Sequence, residues 1–143
     1  MTNFLFLTIP TCDQIAQILS LYESADWWKP GPDAPYELLR LVAGSHCFLV
    51  AELEGEIVGM GRAISDRASD AYIQDVTVRP DYRLQGIGSE IVARIAKRLC
   101  ADGLYWIGLI AERNAHAFYR KIGFSELPDS VPMLLKTFER NAE

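Results

Sequence analysis

Arg83-Leu-Gln-Gly86-Ile-Gly88 stands between an apolar segment ending at Val78 and an amphipathic one that begins near Ile87. Glycines at a strand-to-helix turn let the backbone approach a ligand closely. The first N–H groups of the helix point outward there, and the helix dipole favours negative charge. Phosphate suits that chemistry, although glycine also serves simply to make such a bend. Spacing excludes two common phosphate loops. The dinucleotide fingerprint G-x-G-x-x-G needs a third glycine where Ile91 stands, and Gly-Lys-Ser/Thr occurs nowhere. A second cluster, Tyr22, Asp26, Trp27, Trp28 and Tyr36, can form an aromatic-walled, acid-tipped pocket. An amine with an apolar or aromatic body suits such a pocket through cation–π contact and burial. The paired tryptophans would equally serve to pack a first helix onto a sheet.

Charge is distributed unevenly around these residues. The net charge is −5, which argues against a nucleic-acid partner. Residues 1–78 carry 4 basic and 11 acidic side chains. Residues 79–98 carry five basic (Arg79, Arg83, Arg94, Lys97, Arg98) and two acidic (Asp81, Glu90). A basic island in an acidic chain fits an anionic ligand at one place, or a solvated helix face.

The elements that must position these residues fit one domain, residues 1–143, since ~100–150 residues is a usual domain length. Half of the chain is apolar and 23% is charged, which excludes a disordered tail, a collagen-like fibre and a coiled coil. No apolar run approaches the ~20 residues of a membrane span, so no membrane partner is expected. Met1–Pro10 is apolar but lacks the basic start and cleavage site of a signal peptide, and reads as a first strand over 3–9. Cys12, Cys47 and Cys100 are odd in number and lack C-x-x-C spacing, which suggests neither disulfides nor a metal site. They read as reduced thiols of a cytoplasmic protein, packed as small hydrophobes.

Thr11 can cap a helix with Ile15, Ile18, Leu19 and Tyr22 at helical spacing. Pro30, Gly31, Pro32 and Pro35 break it, and a short helix over about 35–43 follows to Gly44. Strand-like runs then cover 46–53 and 56–64, joined by a tight turn at Glu54-Gly55, and 71–78. Ile87, Ile91, Val92, Ile95, Ala96 and Leu99 form the apolar stripe of a helix ended by Gly103. A strand over 104–110, a helix over 114–121 and two short strands near 123–126 and 131–137 complete the chain. The order β-α-α-β-β-β-α-β-α-β-β predicts an α/β fold whose mixed, mostly antiparallel central sheet is flanked by helices.

Val78-Arg-Pro-Asp-Tyr-Arg-Leu-Gln-Gly-Ile-Gly88 resembles the V-x-P-x-x-[RQ]-x-x-G-x-G/A signature of the GCN5-related N-acetyltransferases, the GNAT superfamily. Asn114-Ala-His-Ala-Phe-Tyr-Arg-Lys-Ile-Gly-Phe124 partly matches a second segment of that family. The resemblance covers most of the chain, with residues 11–45 the exception. Gly59-Met-Gly-Arg-Ala-Ile-Ser-Asp66 and Asp75-Val-Thr-Val78 are similar to the branch that includes plastid serotonin acetyltransferases.

The resemblance implies an acetyl-CoA-dependent N-acetyltransferase acting on a primary amine of a small molecule by direct attack in a ternary complex. It implies that backbone N–H groups of Leu84, Gln85, Gly86, Ile87, Gly88 and Ser89 bind the coenzyme A pyrophosphate, with Arg83 adding charge. Val76 and Val78 would pair with the pantetheine arm where their strand splays from its neighbour, and Asn114 would contact the pantetheine or a water. Tyr119 would be the general acid to the departing thiolate. Asp75 is the leading base or amine anchor, with Glu112 second and His116 read as an exposed helix residue. Plain alternation would put the Asp75 side chain on the face of Ile73 and Thr77, opposite Val76 and Val78. Trp27, Trp28 and Tyr22 would contact the acceptor, and a polyamine or a peptide N-terminus is an alternative acceptor. No cysteine stands in either motif, so a covalent acetyl-cysteine route has no support. Homodimers are common in the family, usually through the C-terminal strands. The rival reading is an inactive acyl-CoA-binding regulatory or interaction domain of the same fold.

Overall fold

The computed structural model describes residues 1–136. The chain forms two units, the first running from Met1 to Gly108 and the second beginning at Leu109. The first unit contains β1 (Asn3–Phe6), α1 (Cys12–Ser24), α2 (Ala34–Gly44), β2 (Cys47–Leu53), β3 (Glu56–Ser65), β4 (Asp70–Val78), a 3-10 turn (Pro80–Tyr82), α3 (Ile87–Ala101) and β5 (Trp106–Gly108). The second holds α4 (His116–Lys121). The five strands lie in the order β1-β2-β3-β4-β5. Pairing is antiparallel from β1 to β4 and parallel between β4 and β5, which is the mixed, mostly antiparallel sheet that the sequence predicts.

Local signals account for most boundaries. Thr11 Oγ1 accepts from the Gln14 N–H while the Gln14 side chain accepts from the Thr11 N–H, a reciprocal cap that starts α1. Ile15, Ile18, Leu21 and Tyr22 then pack with Leu38 and Val42 of α2 against Phe48, Val50 and Met60. The turn between β2 and β3 has positive φ at both Glu54 (51°) and Gly55 (81°), as a two-residue hairpin with the right-handed twist requires.

Gly59 and Gly61 set how closely α3 approaches the sheet. A Cβ at Gly61 would stand 2.9 Å from Ile91 Cγ2 and 3.0 Å from Ile95 Cδ1. Their bare backbone lets α3 settle on β3 and β4, and this fixes the turn before α3 at the end of β4. Gly61→Ala is expected to cost about 1–3 kcal/mol through overpacking. Urea denaturation measures that cost; an unchanged midpoint would mean that the helix yields freely.

The structure departs from the sequence reading in several places. β1 stops at Phe6, and Ile9 is exposed. β5 is three residues long because its pairing with β4 covers only Trp106 to Gly108. α4 starts at His116 because Arg113 (φ 53°) and Asn114 (φ 60°) are left-handed.

The two strands expected near 123–126 and 131–137 do not form through residue 136, and residue 137 lies outside the described residues. The Gly123 and Phe124 N–H groups instead close the end of α4 on the Arg120 and Tyr119 carbonyls. Pro128 and Pro132 remove two further donors. An apolar run becomes a strand only where a partner accepts its ladder, and Val131, Met133, Leu134 and Leu135 are exposed. Of the cysteines, only Cys47 packs as a buried hydrophobe; Cys12 and Cys100 are exposed. Among the described residues, no helix is long and apolar enough to cross a membrane.

Candidate active site

The end of β4 has one open edge. Its pairing with β5 ends at Tyr72 opposite Gly108, whereas its pairing with β3 continues to Val78 opposite Gly59. From Ile73 onward, no strand among the described residues covers the other side of β4. The Arg79 N–H donates to Val58 O at 2.8 Å, which sets the phase of the ladder. Alternation then turns the backbone groups of Val76 and Val78 toward the open edge. The Val78 carbonyl is already engaged there, accepting from Arg83 Nε at 2.9 Å. Arg83 is thus tied to the strand end through Nε, a role beyond the simple charge that the sequence suggested.

The glycine turn follows directly. Leu84 (φ 62°) and Gly86 (φ 82°) are left-handed and flank Gln85, whose φ is not positive. Alternation of this kind turns successive N–H groups toward a common side, a concavity suited to anions. Gly86 caps α3, and the N–H groups of Ile87, Gly88 and Ser89 have no intrahelical acceptor. A Cβ on Gly86 would meet no atom within 4 Å, so open space lies against its backbone. A left-handed, exposed leucine is unusual for a bulky residue, and nothing in the sequence marked Leu84 as strained.

Asp75 lies in a bulge. Met60 pairs with Thr77 but Arg62 pairs with Gln74, so β4 carries one residue more than β3 across this stretch. Asp75 has φ 57°, and the extra residue breaks the alternation expected from the sequence. Asp75 joins Thr77 on the α1 side, whereas Ile73, opposite Ala63, faces α3. Its Oδ2 accepts from Tyr22 OH at 2.7 Å and from Arg62 Nε at 2.6 Å. The Arg62 and Asp75 side chains are only 15% and 22% exposed, so this pair is shielded from water. Arg62 also reaches Gln74 Oε1 and Ser45 Oγ. Residue types alone assign Arg62 no role; the signal it offers is that it is the one cation within β3.

Tyr22 is 4% exposed, so it does not form the wall of an open pocket as the sequence suggested. Burial and the Asp75 charge push its phenol pKa far up, which keeps it a hydrogen-bond donor to Asp75. Trp28 and Trp27 meet the Tyr22 ring edge-on, with centroids at 5.1 and 6.4 Å. Both tryptophans are half-buried and pack against the core, as the packing reading expects. Tyr36 and Asp26 are exposed.

In the second unit, Asn114 is exposed in the left-handed conformation that asparagine tolerates. Tyr119 is half-buried between the edges of Phe118 and Phe124, with centroids at 5.0 and 5.9 Å. Its hydroxyl has no hydrogen-bond partner among the described residues. Burial, assisted by the negative Glu112, raises its pKa, so the phenol holds its proton at neutral pH. Glu112 and His116 are exposed. Among the described residues, no group of acidic, cysteine and histidine side chains gathers to hold a metal.

A model of the acetyltransferase (GNAT) family matches residues 12–124. The chain belongs to the GNAT family. It is 33% identical over 137 residues to an acetyltransferase of Sodalis glossinidius (strain morsitans), an alignment covering 92% of this chain and 94% of that protein. It is also 36% identical over 78 residues to the chloroplastic GCN5-related N-acetyltransferase 2 of Arabidopsis thaliana, covering 54% of this chain and 30% of that one. A probable acetyltransferase from meticillin-resistant Staphylococcus aureus shares the structure with a TM-score of 0.78 and 27% identity, over 96% of this chain and 100% of that chain. A predicted acetyltransferase from Clostridium acetobutylicum, solved with acetyl-CoA, has the same fold at TM-score 0.69 and 18% identity, over 94% and 96% of the two chains. This GNAT protein is accordingly an N-acetyltransferase.

Proposed function

We propose that this GNAT enzyme transfers the acetyl group of acetyl-CoA to a primary amine of a small molecule by direct attack within a ternary complex. The carrying observation is the open edge of β4 running into a turn of unpartnered N–H groups. An extended, amide-bearing pantetheine arm can pair with such an edge as an added strand. The N–H groups of residues 84–89 suit the pyrophosphate, and the space against Gly86 admits it. Asn114 is assigned to the pantetheine or to a water beside it.

An alkyl ammonium with pKa ~10.4 costs about 4.6 kcal/mol to deprotonate at pH 7. Asp75 is assigned to anchor the amine or take its proton, held in place by Arg62 and Tyr22. Both of those contacts fall on Oδ2, and neither uses Oδ1. The neutral amine attacks the thioester carbonyl, and a backbone N–H at the β4 edge stabilises the oxyanion. As the carbon–sulfur bond breaks, Tyr119 gives its proton to the thiolate, and the attacking nitrogen, cationic after addition, releases its extra proton to solvent to leave the neutral amide. Burial pushes the Cys47 thiol up to about 11, so it is a poor nucleophile and supports no acetyl-cysteine route. The half-buried tryptophans favour an acceptor with an apolar or aromatic body.

Release of free thiol from acetyl-CoA, measured with arylalkylamines, polyamines, amino acids and peptides, tests the reading. Amine-dependent release, largest with arylalkylamines, is expected. Binding of acetyl-CoA with no release from any amine would mark an acyl-CoA-binding domain instead.

Asp75→Asn is expected to lower kcat by about a hundredfold, a usual size for one acid–base group. It should leave acetyl-CoA affinity unchanged. Removing the partner of a shielded Arg62 should also cost about 3 kcal/mol of stability, measurable by urea melting. Glu112→Gln should change kcat little; the opposite pair of results would move the base to Glu112.

A further inference from the structure

We infer that the first unit carries a second ligand site, a cavity that takes a small organic carboxylate. The cavity has a volume of about 230 Å³, and its lining includes Phe6, Val42, Phe48, His46, Arg67 and Arg98. That volume equals roughly eight waters at ~30 Å³ each, enough for one ring bearing a carboxylate. Arg98 lies twelve residues along α3 from Gly86, about 18 Å at ~1.5 Å per residue, so the cavity stands apart from the glycine turn.

The charges around it select the ligand. Two acids neighbour the lining residues: Asp66, next to Arg67 in sequence, is committed to backbone donors, and Asp102 is committed to His46 and Arg98 of the lining itself. Asp66 accepts the N–H groups of Ala68, Ser69 and Asp70 at 2.8, 2.8 and 3.0 Å. Those donors hold its carboxyl well below the usual range. Asp102 takes His46 Nε2 at 2.7 Å and Arg98 Nε at 3.0 Å, while His46 Nδ1 lies 2.7 Å from Ser65 Oγ.

Arg67 is left over. Its backbone is fixed at φ 63° with its N–H on Ser65 Oγ at 3.1 Å. Its guanidinium has no hydrogen bond or ion pair among the described residues. The Arg98 guanidinium lies 5.0 Å from the Phe6 ring centroid, and only its Nε is engaged. Arg67 and Arg98, both exposed residues of the lining, thus have guanidinium N–H donors to spare, and that of Arg98 lies over the Phe6 ring. A planar fork of donors matches a carboxylate, and the apolar walls match a short hydrocarbon body. Inorganic phosphate would satisfy the first feature and waste the second.

Benzoate is the probe, and benzamide its neutral isostere. Backbone amide resonances of the whole protein are followed by NMR during titration with each, and with inorganic phosphate. Saturable shifts at His46, Cys47, Arg67 and Arg98 with benzoate, weaker with the other two, are expected. Arg67→Ala should weaken benzoate by about tenfold or more, the size of one charge-assisted hydrogen bond. Arg94→Ala, which removes an exposed cation paired with Glu90, should change nothing. Acetyl transfer by Arg67→Ala should equal that of the parent. Equal binding of benzoate and benzamide, benzoate affinity unchanged in Arg67→Ala, or no saturation at all would overturn the site.

Discussion

Gly86→Val is expected to abolish measurable acetyl-CoA binding, a loss of at least about a hundredfold, while leaving the fold in place. Gly86 sits at φ 82° with open space where a Cβ would stand. Valine there would occupy the space through which a pyrophosphate must reach the backbone N–H groups, and would itself be strained. The strain alone costs about 1–2 kcal/mol for an L-residue in the left-handed region, so a lower melting temperature is expected as well. Gly55 separates the two effects. It has φ 81°, equally open surroundings and a place in the β2–β3 hairpin, outside the 83–89 turn. Gly55→Val should match the stability loss and keep full affinity in a calorimetric titration with acetyl-CoA. Equal affinity in both variants would remove the turn from the binding site.

Tyr119→Phe is the second large effect. Loss of one general acid lowers turnover by about 10²–10⁴-fold, and acetyl-CoA affinity should stay within twofold or so of the parent. The ring remains packed between Phe118 and Phe124, and the hydroxyl has no protein partner to leave unsatisfied, so stability should hardly change. Burial raises the Tyr119 pKa. The proton is therefore retained through neutral pH and lost only above the ordinary phenol value of ~10, where the basic limb of kcat should fall. Undiminished kcat in Tyr119→Phe would assign the acid elsewhere.

What the sequence made legible is what local chemistry decides. The turn at 83–89 could be read because glycine and a strand–helix junction are enough to define it. The Thr11–Gln14 cap and the Glu54-Gly55 hairpin rest on neighbours within a few residues. Asp75 could be named as an acid within β4, but not oriented. Its direction depends on a bulge that exists only in the register between β3 and β4. Arg62 escaped assignment for the same reason, because its meaning comes from the carboxylate that the bulge turns toward it. Tyr22 carried helical periodicity that could not tell a pocket wall from a core residue with a polar tip. The run after Pro128 has strand-forming residues, but strand formation needs a pairing partner that residue types cannot supply.

A crystal structure of the protein with acetyl-CoA decides whether the coenzyme uses this edge and this turn. Pyrophosphate oxygens are expected within hydrogen-bond distance of the N–H groups of residues 84–89, with the pantetheine arm paired with Val76 and Val78 along the open edge of β4. A coenzyme seated elsewhere, with that edge and turn facing only water, would overturn the assignment.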